Sequence, residues 1–336
     1  MRLIERAWYQ NHPIKWLLLL LTPIFWALSA LRRMAYRCHL LKQPKLPVPV
    51  VIVGNIGVGG NGKTPVVVYL VEQLKAKGFK VGVISRGYGG SVTDTPFVVS
   101  ANVSAKEAGD EPVLIYQRTE VPVVIGSDRV KSVEQLISLG CNVVISDDGL
   151  QHYRLKRDVE LVIIDGKRRY GNGWLLPAGP LREGIWRLNT VDRVIVNGGL
   201  ADVDELAMSL SANKVININS GQQLSLEQFN ALIKPIGKVN AIAGIGNPQR
   251  FFNTLLRLKL PLAQSLGFVD HHQFQSSDFD QLDANIPLLM TEKDAVKCQG
   301  LVSDNAWYLP VDARFDQKQG EQLIELIITR CNNYGL

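Results

Sequence analysis

From residue 48 to about residue 219, apolar runs of four to six residues alternate with segments of helical periodicity. Strands are predicted at 48–54, 81–85, 97–100, 121–126, 142–146, 160–164, 193–197 and 215–219. Helices are predicted at 66–77, 105–118, 127–139 and 202–212. The strand runs lack clean alternation, the pattern of strands covered on both faces. Strand–helix alternation of this kind builds a parallel, doubly wound sheet with crossover helices. Pro49 is tolerated because it falls at the start of its strand. The pattern weakens around Asn217-Ile218-Asn219-Ser220-Gly221, so a linker is placed at 217–222 between a larger unit, 41–216, and a smaller α/β unit, 223–336. In the smaller unit, strands are predicted at 239–245, 265–269, 287–290 and 307–309, and helices at 248–257, 276–282, 293–298 and 317–330.

Residues 1–40 differ in kind. Trp16 to Leu31 holds thirteen apolar residues in sixteen and no charge, with Arg2, Arg6 and Lys15 before it and Arg32, Arg33 and Arg37 after it. Sixteen helical residues reach about 24 Å, short of a roughly 30 Å hydrocarbon core. A secretory signal is the main rival, but arginines directly after the apolar run oppose export. A buried globular helix is the plainer alternative. The expectation is a membrane-associated helix dipped into one leaflet, with its arginines on anionic headgroups.

Composition adds limits. The chain has 336 residues, 46% hydrophobic and 20% charged, which is globular. A net charge of +6 points to an acidic partner: nucleic acid, anionic lipid or a phosphorylated substrate. Cys38, Cys141, Cys298 and Cys331 lie far apart, against a disulfide framework or zinc site and consistent with a reducing compartment.

The strongest local signal is Gly57-Val58-Gly59-Gly60-Asn61-Gly62-Lys63-Thr64, a complete G-x-x-x-x-G-K-[ST] loop between a predicted strand and a predicted helix. Backbone N–H groups of such a loop surround an anion, and the helix N-terminus adds partial positive charge. Lys63 is placed to reach the β/γ-phosphates of a nucleoside triphosphate and Thr64 to offer its hydroxyl to Mg²⁺. Val143 to Gly149 is an apolar strand ending in Asp147 and Asp148, where a metal-holding carboxylate belongs beside such a loop; an acidic turn is the alternative. In Gly109-Asp110-Glu111-Pro112, Asp110 is either a helix cap or a base or metal ligand at a helix N-terminus. Leu176 to Glu183 reads as a shaped loop ending in Arg182 and Glu183, either solvated or gripping a phosphate through Arg182. Aromatic residues suited to base stacking are sparse there, so no nucleic acid is expected. In Thr291-Glu292-Lys293-Asp294 the lysine is one place late for a guanine-reading motif. Asp270-His271-His272 is by itself a weak signal.

Taken in order, GNIGVGGNGKTP (54–65), SRGYGG (85–90), GDEP (109–112), SDDGLQH (146–152), LPAGPLRE (176–183), DHH (270–272) and TEKDAVK (291–297) resemble the tetraacyldisaccharide 4′-kinase family along nearly the whole chain. These are the inner-membrane lipid A kinases of Gram-negative bacteria. The resemblance implies a P-loop NTPase-like larger domain, a smaller domain joined by a β-linker, and a site in the cleft. It implies ATP and Mg²⁺ as cofactors and phosphorylation of the 4′-hydroxyl of a tetraacylated glucosamine disaccharide 1-phosphate, giving lipid IVA. By the same resemblance Asp110 is the base, paired with His271 and assisted by Glu111. Asp147 and Asp148 serve the metal, and Gln151, His152, Arg182 and Glu183 line the cleft. The implied partners are an anionic glycolipid and the lipid of the inner membrane, met at its cytoplasmic face. No obligate protein partner is evident. A P-loop GTPase or ATPase switch, or a nucleotide-binding module in which Asp110 and His271 are structural, is the rival class.

Overall fold

The computed structural model describes residues 3–336; Arg2, one of the basic residues flanking the apolar run, lies outside the described residues. Three helices open the chain: α1 (Leu3–Tyr9), α2 (Ile14–Leu19) and α3 (Thr22–Arg37). Next come β1 (Val50–Gly54), α4 (Lys63–Ala76), β2 (Val81–Ser85), β3 (Phe97–Val99), α5 (Ala105–Ala108) and α6 (Asp110–Thr119). The larger unit continues with β4 (Val123–Ile125), α7 (Arg129–Ser138), β5 (Val143–Asp147), β6 (Val159–Asp165), β7 (Arg193–Asn197) and β8 (Glu205–Ser211). The smaller unit holds β9 (Lys214–Asn217), β10 (Gln223–Ser225), α8 (Leu226–Ile233), β11 (Val239–Ala243), α9 (Pro248–Arg257), β12 (Leu262–Gly267), β13 (Leu288–Thr291), α10 (Glu292–Cys298) and β14 (Ala306–Leu309). The chain ends with β15 (Asp312–Phe315) and α11 (Gln317–Asn332).

The larger sheet has nine strands in the order β15-β8-β7-β6-β1-β5-β2-β4-β3, parallel from β8 to β4 and antiparallel at both edges. Alternate residues of β1 feed opposite cores. Val51 and Val53 pack with α4 and α11 residues such as Leu70 and Ile327, whereas Val50 and Ile52 pack with Val133 and Leu136 of α7. Cover on both faces explains the unbroken apolar runs. The sheet places the C-terminal ends of β1 and β5 side by side, where open α/β sheets bind ligands.

Several elements depart from the sequence pattern. The helix expected at 202–212 is strand β8, in which Leu206 and Met208 are buried and Ala207 and Ser209 exposed. Its Glu, Ala and Met content favours helix, but pairing with β7 and β15 overrides propensity. The helix expected at 105–118 is broken by Gly109, whose φ of 92° no helix accommodates. Of the helix expected at 276–282, a 3₁₀ turn at Ser276–Phe279 forms. Residues 217–222 are not the crossing between units. They form the turn of the β9–β10 hairpin, and the chain crosses at 212–213 and returns at 310–311. Strand β15 then joins the larger sheet and Leu323, Ile324 and Ile327 of α11 enter its core, so the C-terminal segment packs with the larger unit. The N-terminal apolar run is divided between α2 and α3. Among the described residues no helix is long and apolar enough to cross a membrane.

Candidate active site

The loop after β1 has the geometry its sequence requires. Gly62 caps α4 with φ 92° and Gly59 has φ 120°, both in the range that favours glycine. Side chains added at Gly59 or Gly60 would meet nothing within 4 Å, so this rim of the loop is open. Its back is held by the 176–183 loop, through Val58 N–H donating to the Pro180 carbonyl at 2.9 Å and Arg182 N–H to the Ile56 carbonyl at 2.6 Å. Lys63 Nζ stands 3.4 Å from Asp148 Oδ1, and Arg182 Nη1 donates to Asp148 Oδ2 at 3.3 Å. Burial pushes the Asp148 carboxyl up, but Lys63 and Arg182 outweigh it and hold it down at about 2.

Asp147 is in the opposite state. Both its carboxylate oxygens are buried without a hydrogen-bond partner. Burial and then the charge of Glu111 push its carboxyl up to about 7, against the pull of Lys63. A buried acceptor pair with no donor is a place for a cation, and hard oxygen ligands suit Mg²⁺. Among the described residues no cluster of three or more His, Cys, Asp or Glu forms a cage. Mg²⁺ rarely uses one; phosphate and water oxygens complete its shell. Thr64, Asp147, Asp148 and Glu111 are the residues that can hold it; Asp148 is here paired with Lys63 and Arg182 and Glu111 with Lys293, whereas the Asp147 carboxylate has no hydrogen-bond partner.

Asp110 starts α6 and is 4% exposed. Its Oδ2 meets His271 Nδ1 at 3.0 Å, across the two units. His271 has φ 59°, and its ring meets Tyr88 edge-on at 5.0 Å. The 85–90 and 109–112 segments touch so closely that a side chain at Gly109 would lie 2.6 Å from the Tyr88 carbonyl. Burial raises the Asp110 carboxyl, but the His271 hydrogen bond and the charges of Lys293 and Lys297 win, leaving it below its ordinary value. His271 is raised, first by the Asp110 hydrogen bond and against its own burial. Lys293 Nζ bridges Glu111 at 3.0 Å and His271 Nε2 at 3.4 Å. The catalytic and metal candidates therefore form one charged cluster at the mouth of the loop.

The remaining candidates divide. Gln151 donates to the Asn55 carbonyl at 3.1 Å and accepts from Arg182 at 3.3 Å, beside the cluster. His152 is pushed down to about 4 by burial and by the arginines Arg129, Arg86 and Arg32, so it is neutral at pH 7. Glu183 does not share Arg182's surroundings; its carboxylate is buried against Tyr153 and Arg187 and braces the loop from behind. Sequence reasoning gave no role to Lys293 and Lys297, spaced one turn apart on α10 and facing Asp110, nor to Arg129, buried with Nη2 on the Asp147 carbonyl. Two lysines at i and i+4 beside acids on a short helix were the available signal for the first pair.

An apolar surface adjoins the site. Trp16, Leu17, Ile24 and Leu28 of α2 and α3, with Leu20 and Leu21 in the turn between them, are all more than half exposed. Trp8 of α1 anchors this segment by donating Nε1 to the Pro177 carbonyl at 2.9 Å. The same loop backs the P-loop, so the apolar helices and the phosphate cradle share one support.

A P-loop at the strand ends of a doubly wound sheet, facing an acid–histidine pair assembled from two units, defines a nucleotide-dependent phosphotransferase. The family model for tetraacyldisaccharide-1-P 4′-kinase, LpxK, matches residues 14–329. The chain belongs to this family. It is 52% identical over 335 residues to the tetraacyldisaccharide 4′-kinase of Colwellia psychrerythraea, covering 97% of both chains. The enzyme of the same name from Shewanella amazonensis is 48% identical over 332 residues, covering 96% of this chain and 95% of that one. A crystal structure of LpxK from Aquifex aeolicus in complex with ATP matches with a TM-score of 0.78 at 29% identity, over 95% of this chain and 99% of that one.

Proposed function

We infer that the chain transfers the γ-phosphoryl group of ATP to the 4′-hydroxyl of a tetraacylated glucosamine disaccharide 1-phosphate, giving lipid IVA in lipid A biosynthesis. The observation that carries the residue roles is the Asp110–His271 contact at 3.0 Å, made across the two units beside the open P-loop. In this reading the acceptor oxygen forms a bond to the γ-phosphorus as the bridging bond to the β-phosphate breaks. The hydroxyl proton passes to the Asp110–His271 pair. Lys63 and Arg182 offset charge on the phosphoryl oxygens, which is most of what this reaction needs from a protein. Thr64, Asp147, Asp148 and Glu111 would hold Mg²⁺, which when bound would neutralise phosphate charge. Closing the smaller unit over the P-loop excludes water that would otherwise hydrolyse ATP.

The exposed apolar faces of α2 and α3, followed by Arg32, Arg33 and Arg37, support docking on the cytoplasmic face of the inner membrane. Apolar side chains enter the acyl region while the arginines meet phosphate headgroups. The test is transfer of ³²P-label from γ-labelled ATP in mixed micelles. Label in a chloroform-soluble product supports the kinase reading; free phosphate alone, without labelled lipid, favours a nucleotide switch.

A further inference from the structure

A second contact between the units lies on the other side of the P-loop from Asp110. Arg250, in the first turn of α9, sends Nη1 to Asp165 Oδ2 at 3.0 Å and Nη2 to Asn197 Oδ1 at 2.9 Å. Asp165 and Asn197 end the neighbouring strands β6 and β7 of the larger unit. Asn197 is 2% exposed, and its carboxamide is used at both ends. While Oδ1 accepts from Arg250, Nδ2 donates to the Asn61 carbonyl of the P-loop at 2.9 Å. The Asn61 side chain is tied to the same strand layer, donating to the Ile163 carbonyl at 3.2 Å. Asn197 also abuts the next residue, since a side chain at Gly62 would lie 2.4 Å from its Nδ2.

We propose that Arg250 is a positioning residue for ATP, carrying closure of the smaller unit through Asn197 to the Asn61–Gly62 peptide of the P-loop. The peptide is planar, so a carbonyl held toward Asn197 turns the Gly62 N–H to the opposite side, where a phosphate is taken up. A guanidinium can serve Asp165 and Asn197 together because its donors are fixed in one plane. Its charge also polarises the carboxamide, strengthening the N–H that holds the loop. Because the link joins two binding events, closure tightens ATP and ATP favours closure by the same factor.

The test compares Arg250→Ala, Arg250→Lys, Asn197→Ala and the Arg250→Ala/Asn197→Ala double variant. ATP affinity is titrated with Mg·ATP and no lipid, and steady-state constants are measured for both substrates. Arg250→Ala and Asn197→Ala are each expected to weaken ATP binding about tenfold, the scale of one charged hydrogen bond. The KM for lipid should stay within about twofold, since no lipid contact is removed. Arg250→Lys, a point charge that serves one partner, should fall between wild type and Arg250→Ala. The double variant should bind ATP no worse than Asn197→Ala alone. Unchanged ATP affinity in Arg250→Ala, or in Arg250→Lys if the alanine variant does not fold, overturns the proposal. So do additive losses in the double variant, which would mean that Arg250 acts by a route that bypasses Asn197.

Discussion

Replacing Asp110 with Asn preserves the shape of the side chain and removes the charge at the atom that meets His271. Loss of a general base lowers turnover about 10²–10⁴-fold, or about 3–5 kcal/mol of barrier. The structural cost is separable. Lys297 keeps Asp294 at 3.0 Å and Lys293 keeps Glu111 at 3.0 Å, so neither ammonium is stranded. The stability loss should then be about 1–3 kcal/mol, below the ~3–5 kcal/mol for breaking an isolated buried pair. ATP affinity should hold, because none of Asp110's partners belongs to the P-loop. Single-turnover phosphoryl transfer in mixed micelles, paired with thermal unfolding and ATP titration, separates these quantities. A folded Asp110→Asn enzyme that binds ATP and keeps more than about a tenth of wild-type single-turnover rate would refute the base role.

Lys63→Ala should lower phosphoryl transfer at least about 10²-fold, measured by label transfer, because the phosphates lose their one P-loop cation. The His271–Asp110 pair predicts a signed pH effect on stability. His271 is raised above its ordinary 6.5, so its contribution is complete below that pH and fades as pH rises through the raised value. Asp110 is lowered from 3.8, so its share is present above that pH and fades in acid. The melting-temperature gap between wild type and His271→Ala should therefore be widest at about pH 4–6.5 and shrink toward pH 9. L20D/L21D, on the exposed apolar face, should weaken sedimentation with anionic vesicles and raise the KM for lipid while leaving ATP affinity unchanged.

Local signals carried far and non-local ones did not. The 57–64 loop was readable because eight consecutive residues set its conformation, and the buried strands β1, β2, β5, β6 and β7 because cover on both faces leaves an unbroken apolar run. Strand β8 was hidden by residues that favour helix and is fixed by partners, one of them β15, about a hundred residues away. The return of the C-terminal segment to the larger sheet depends on that same pairing. At the site, Asp147 is legible as a strand-end acid beside the loop and Asp110 as a cap or a base, while the pairing with His271 comes from the resemblance; the geometry brings the three into one neighbourhood. Glu183 carried no such information. A charged residue beside Arg182 reads as a cleft residue until Tyr153 and Arg187 are seen to enclose it. The Lys293–Glu111 contact likewise joins residues separated by 182 positions, which periodicity cannot connect.

This P-loop hands a phosphoryl group to a glycolipid hydroxyl. Mass spectrometry of the lipid recovered after incubating the full chain with Mg·ATP and tetraacyldisaccharide 1-phosphate tests it most directly. One added phosphate is expected, located at the 4′ position by fragmentation and absent with Lys63→Ala. Recovery of the disaccharide unaltered, under conditions where the protein binds ATP and sediments with the lipid, would contradict it.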